Sequence, residues 1–158
     1  YIPIRGKESH GVHIESLKPI IDNGAKLIVT CDTGITANEA IDYANSRGVD
    51  VVITDHHDLG ETLPTAKAII NPKLLPDDHP LKNLAGVGVA YKLAEALLRS
   101  DDFSHPTSAT EVATTLLDLV ALGLIADVAL LKGETRSLAQ KGIQALRSTK
   151  RLGLKVIA

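Results

Sequence analysis

Two short apolar runs, Lys26-Leu27-Ile28-Val29-Thr30 and Val51-Val52-Ile53-Thr54, constrain this chain more than any other feature. Both are continuous rather than alternating, the pattern of strands buried on both faces. Between them the spacing predicts one helix, Ala37 to Arg47, opened by a Thr36/Glu39 capping box and closed by Gly48. Strand, helix and strand joined by such a crossover form a βαβ unit, which makes the strands parallel. Ala68-Ile69-Ile70, closed by Asn71-Pro72, predicts a third strand. Upstream, Leu17, Ile20 and Ile21 share a helical face with Gly24 as a stop. Pro19 belongs in the first turn of that helix, which therefore starts no earlier than about Ser16. From residue 86 the texture turns helical: Gly88 to Leu98, a helix capped by Ser108 and Glu111 and running to about Leu122, and a basic helix from Thr135 to Thr149. The expected fold class is α/β, a parallel sheet of βαβ units flanked by helices, with a helical C-terminal part. No linker splits it, and residues 99–107 form the weakest point. The expected organisation is a domain over 1–131 followed by a basic helix over 132–158.

The chain has 158 residues, 44% hydrophobic and 23% charged, enough for one core. Its apolar runs are broken well short of the roughly 18 residues a membrane span requires. A single cysteine, Cys31, excludes a disulfide framework and a cysteine-based zinc site, and it reads as a small core residue. No charged-then-apolar leader opens the chain, so the expected compartment is the cytoplasm. Aromatic residues are only 3%, which argues against base-stacking platforms as the main device for holding nucleic acid. The chain begins at Tyr1 and contains no Met, and the expectation is a fragment of a longer protein. Residues 1–131 carry 10 basic and 18 acidic side chains, whereas residues 132–158 carry 7 basic and 1 acidic. A basic tail therefore follows an acidic body.

In an open parallel sheet, ligands bind beyond the carboxyl ends of the strands. Here one strand ends at Asp32 and the next at Asp55, His56 and His57, so both sets face one crevice. Carboxylate and imidazole together suit Mn²⁺, Fe²⁺ or Zn²⁺. Such ions activate water and polarise phosphoryl oxygens. Each residue also has a plainer reading: Asp32 as a turn former, Asp55 as an orienting group, the histidines as a polar loop. Asp127 stands alone in the apolar stretch Leu122–Leu131 and is either a ligand or the cap of the preceding helix. Gly86-Val87-Gly88 opens a helix, either to face a phosphate or to pack closely on the sheet. His10, His13, His79 and His105 read as surface histidines. Arg136, Lys141, Arg147, Lys150, Arg151 and Lys155 form either a solvated helix face or a track for a phosphate backbone.

Val51-Val52-Ile53-Thr54-Asp55-His56-His57 resembles the signature motif of the DHH phosphoesterase superfamily, and Cys31-Asp32-Thr33-Gly34-Ile35 resembles its preceding Asp motif. Three further stretches are similar to the RecJ group of single-strand-specific exonucleases. They are Tyr1-Ile2-Pro3 with Arg5, Leu84 to Ala94, and Leu122 to Val128 followed by Gly133-Glu134-Thr135-Arg136. The resemblance covers essentially the whole chain. It implies metal ligation by Asp32, His56 and Asp127, with Asp32 able to bridge two ions. It implies that Asp55 and His57 serve catalysis, His57 as a ligand or phosphate contact and Asp55 directly or through a neighbouring ligand. The implied chemistry is hydrolysis of phosphodiester bonds with two Mn²⁺ or Mg²⁺ ions, and the implied partner is single-stranded DNA, degraded from the 5′ end in repair and recombination.

The departures set further expectations. The superfamily's upstream Asp-x-Asp motif and its second domain have no counterpart here, so a truncated DHH domain with little or no activity alone is expected. Its exposed sheet edge would favour self-association. Two alternatives remain open: a DHH-type phosphatase or phosphodiesterase acting on nucleotides or short oligonucleotides, and a non-catalytic α/β module that binds a metal or a partner.

Overall fold

The computed structural model describes residues 1–4, 6–100 and 108–157. Arg5 of the N-terminal motif, His105 and most of the 99–107 loop lie outside the described residues. The chain forms two compact units, Tyr1–Lys73 and Leu74–Ala158, a boundary that composition alone did not mark.

The first unit holds α1 (Ile14–Asp22), β1 (Leu27–Cys31), α2 (Asn38–Ser46), β2 (Asp50–Thr54) and β3 (Ala68–Ile70). The strands are parallel in the order β1-β2-β3, with Ile28 opposite Val51 and Ile53 opposite Ile69. This is the expected α/β class. Leu17 and Ile21 from α1 and Ala40, Ile41 and Ala44 from α2 close over Val49, Val51 and Ile53. Each fully buried Ile or Leu there contributes about 1.5–3 kcal/mol of transfer free energy.

Four expectations are corrected in this unit. First, β1 is not buried on both faces: Ile28 and Thr30 turn inward, while Leu27 and Val29 are 55% and 48% exposed. The apolar run is continuous, yet α1 and α2 cover only one side of this edge strand. Second, Cys31 continues that outer row and is exposed rather than part of the core. Third, α1 begins at Ile14, so Pro19 sits inside it and removes the N–H that would reach the Glu15 carbonyl. Burial of Leu17 and Ile21, with Ile14 packed beside them, outweighs that lost bond. Fourth, α2 has Ala37 at its N-cap with no side-chain cap, so the Thr36/Glu39 box does not form. The preceding Gly34, at φ +113°, sets the entry to the helix instead. Its closing residue is as expected, with Gly48 at φ +71°.

The second unit is helical: α3 (Gly86–Leu98), α4 (Ala109–Thr114), α5 (Leu117–Ala126), α6 (Gly133–Arg147) and α7 (Leu152–Ile157). The Ser108/Glu111 capping box forms in full. The helix it opens, however, breaks at Thr115-Leu116 rather than running to Leu122. Thr114 and Thr115 turn their hydroxyls back onto the carbonyls of Thr110 and Val112, both at 2.7 Å. The Thr115 carbonyl is taken by the Arg151 guanidinium at 3.0 Å. Such back-bonding competes with helix continuation. Glycines set the helix–helix contacts. A Cβ on Gly123 would lie 2.7 Å from Val87, and one on Gly142 would meet the Leu117 carbonyl oxygen. Close packing between helices is thus what Gly123 and Gly142 serve.

Candidate metal centre

The carboxyl ends of β1 and β2 carry the chemistry. The Asp32 N–H donates to the Thr54 carbonyl at 2.9 Å, carrying the β1–β2 pairing one residue past the strand. Asp32 then turns into the left-handed region at φ +63°, a conformation that Asp tolerates better than most residues. The turn is fixed from beneath. Thr54 Oγ1 donates to the Thr30 carbonyl and Thr30 Oγ1 to the Thr33 carbonyl, both at 2.7 Å. Gly34 is required here, since a Cβ would stand 3.0 Å from Thr30 Oγ1 at a positive φ. The loop passes over the end of β2, where the Ile35 N–H donates to Asp55 Oδ2 at 2.9 Å.

Asp55 is 1% exposed and accepts from every side. Its Oδ1 receives the His56 N–H at 2.7 Å, the His57 N–H at 3.2 Å and His57 Nδ1 at 2.7 Å. Burial pushes its pKa up. The hydrogen bonds from the Ile35 N–H, the His57 ring and the two histidine N–H groups outweigh burial and hold it below the ordinary carboxylate value. An ionised Asp55 fixes the proton of a neutral His57 on Nδ1, which turns the lone pair of Nε2 outward. His56 Nε2 stands 3.0 Å from Asp32 Oδ1. The rings of His56 and His57 lie 4.6 Å apart, centroid to centroid.

Asp32, His56 and His57 each offer a ligand atom, and these atoms lie within 4.8 Å of one another. Bonds of about 2.1 Å to one hard divalent ion need only small side-chain shifts from that spacing. Mixed carboxylate and imidazole donors fit Mn²⁺, and the hydrogen bond from His57 Nδ1 to a carboxylate is the support that metal-bound histidines regularly have. The residues therefore fit a metal.

Of the residues singled out from sequence, four come together here: Asp32, Asp55, His56 and His57. Asp127 belongs to the second unit. It is exposed and ends α5, with its N–H on the Gly123 carbonyl at 2.9 Å. That is the cap position at the end of the helix. Two residues of this region escaped the sequence reading. Asn71 is 5% exposed, donates to the His57 carbonyl at 3.0 Å and accepts from the Lys73 N–H at 2.8 Å. Its polar amide directly after a strand was the available signal. His10 places its ring 6.1 Å from that of His57, edge to face, although no spacing linked it to the strand ends.

A parallel sheet whose strand ends hold a preorganised carboxylate–imidazole cluster defines an α/β protein with a candidate metal centre. The chain belongs to the DHH family: the model of the DHH family, N-terminal domain, matches residues 1–124. It is 46% identical over 155 residues to the single-stranded-DNA-specific exonuclease RecJ of Bacillus subtilis (strain 168), a match that covers 98% of this chain and 18% of that protein. It is 42% identical over 161 residues to the RecJ of Escherichia coli (strain K12), over 99% of this chain and 28% of that one. A crystal structure of exonuclease RecJ bound to manganese superposes with a TM-score of 0.84 at 34% identity, covering 100% of this chain and 38% of that one. The RecJ of Thermus thermophilus in complex with Mn²⁺ gives a TM-score of 0.75 at 32% identity, over 91% of this chain and 20% of that one. The chain thus spans less than a third of the length of these curated relatives.

Proposed function

We propose that this chain supplies the metal centre of a single-stranded-DNA exonuclease, a cytoplasmic enzyme that hydrolyses phosphodiester bonds from the 5′ end in DNA repair and recombination. The observation that carries this reading is the convergence of Asp32, His56 and His57 within 4.8 Å at two strand ends. The likeness to RecJ proteins, which include two manganese-bound structures, supports it.

Asp32, His56 and Asp127 are the proposed ligands, for two Mn²⁺ or Mg²⁺ ions in the complete enzyme. Bound there, the metal supplies Lewis acidity for water and for the scissile phosphate. Asp32 and His56 set the position of the charge against which the phosphate is oriented. His57 presents Nε2 to the same space, as a ligand or a phosphate contact. Asp55, with its oxygens occupied by four donors, acts through His57 by holding its proton on Nδ1 and its ring in place.

Calorimetric titration of Mn²⁺ tests the reading. His56→Ala and Asp32→Asn each remove a proposed ligand, and each is expected to lower Mn²⁺ affinity at least about tenfold. Asp32→Asn keeps the left-handed backbone conformation and therefore the fold. Equal Mn²⁺ affinity in wild type and both variants would refute the assignment. Degradation of a 5′-labelled single strand by the complete gene product, lost in Asp32→Asn, tests the activity.

A further inference from the structure

We propose that His10 is a substrate-contacting residue of this centre, its ring N–H donating to a non-bridging oxygen of the phosphate held beside Asp32, His56 and His57. The inference rests on the phosphodiesterase reading above and adds a residue to it.

His10 is presented to the site by a braced loop. His13 Nε2 lies 2.9 Å from the His10 carbonyl and 2.7 Å from Ser9 Oγ. These contacts hold the His13 ring against the turn from Ser9 to His13. Gly11 completes the turn at φ +112°. The clamp directs the His10 ring edge-to-face toward His57, with centroids 6.1 Å apart. Beyond it, His10, His13, Thr33 and Thr36 border an open cleft of about 620 Å³, room for a nucleotide.

Distance separates two roles. Two imidazoles sharing one ion at adjacent positions have ring centroids about 4.5–5.5 Å apart, given metal–nitrogen bonds of about 2.0–2.1 Å. The His56–His57 pair, at 4.6 Å, meets that condition. His10, at 6.1 Å, stands outside it and outside the cluster of ligand atoms. It adjoins His57 and borders the cleft. A neutral imidazole carries one N–H and a charged one two, so the contact needs no particular protonation state. A purely structural role, ring packing on His57, would need no N–H.

His10→Phe keeps the ring and removes the donor, and His10→Gln restores a donor without the ring. In the complete gene product, His10→Phe is expected to lower kcat/KM on a 5′-labelled oligothymidylate at least about tenfold, the size of one hydrogen bond to a charged oxygen. Its Mn²⁺ isotherm should match wild type. His10→Gln should recover most of the loss. Wild-type turnover in His10→Phe would overturn the proposal in favour of ring packing, and a tenfold loss of Mn²⁺ affinity would overturn it in favour of a ligand. Should the wild type cleave nothing, the phosphodiesterase reading fails by itself. Inorganic phosphate titrated onto the Mn²⁺-loaded proteins then decides the matter for His10. Weaker binding to His10→Phe supports the contact, and equal binding removes it.

Discussion

Asp55 is the residue on which the site's geometry turns, because its two oxygens see different crowds. Oδ1 accepts from three donors and Oδ2 from the Ile35 N–H alone. In Asp55→Asn the amide oxygen can serve the three donors, but the amide nitrogen then faces the Ile35 N–H, donor against donor. A buried donor left in that position costs about 1–3 kcal/mol. The same change weakens the hold on the His57 proton, and losing such a support typically lowers metal affinity about 10–100-fold. Urea unfolding of the metal-free chain checks the first effect and Mn²⁺ calorimetry the second. A variant with wild-type values in both would mean that Asp55 neither braces the loop nor positions His57. The sequence made Asp32, Asp55, His56 and His57 legible at this scale because each directly follows a strand. It hid His10, whose approach to His57 depends on a loop clamped by His13 and Gly11, a long-range outcome with no local signature.

At the scale of elements, packing decided where pattern misled. The break after α4 and the buried Asp118 belong together. Asp118, 5% exposed, accepts from Thr149 Oγ1 at 2.6 Å and from Arg151 Nε at 3.2 Å, tying the segment after α6 to the start of α5. Nothing in the 3.6-residue period distinguishes this Asp from a solvated one, and Arg151 itself reads from sequence as part of a basic tail. Burial pushes the Asp118 pKa up, but the Thr149 hydroxyl, the Leu119 N–H and the Arg151 guanidinium outweigh it and hold the pKa below its ordinary value. A carboxyl with a depressed folded-state pKa adds stability that is present above its unfolded value of about 3.9 and fades as pH falls through the lower, folded value. Wild type should therefore lose stability on acidification from about pH 5 downward, and Asp118→Asn should lose less over that range. Thermal unfolding between about pH 7 and about pH 3 measures the difference, and parallel curves would deny the carboxylate its role. Gly142 offers a second check on α6. Gly→Ala in an open helix interior stabilises by about 1 kcal/mol. Here the added methyl meets the Leu117 carbonyl and lies 2.6 Å from Ala121 Cβ, so Gly142→Ala is expected to destabilise by about 2 kcal/mol or more. Gly153→Ala in α7, with nothing within 4 Å, should not destabilise.

Over the whole molecule, the charge asymmetry poses a question that composition alone left open: which cations of the basic tail can reach a polyanion? Side-chain placement separates them. Arg151 is committed to Asp118 and the Thr115 carbonyl. Arg136, Lys141 and Arg147 are exposed on α6, and Lys150 is exposed just beyond it. Lys141 and Arg147 also border the same open surface of the helix. Phosphate contacts release condensed counterions, and for single strands the slope of log affinity against log salt is about −0.7 per phosphate neutralised. If the α6 face tracks the backbone of a single strand, Lys141→Ala with Arg147→Ala should flatten that slope by about 1.4 and weaken binding similarly for every sequence. Arg151→Ala would instead act on stability, by uncovering Asp118, and leave the slope of the folded protein unchanged. Fluorescence anisotropy of an oligothymidylate across a salt series, on protein shown folded by circular dichroism, measures both slopes. An unchanged slope in the double variant would make the α6 cations a solvated face, while a change confined to Arg151→Ala would reverse the division drawn from its bond to Asp118.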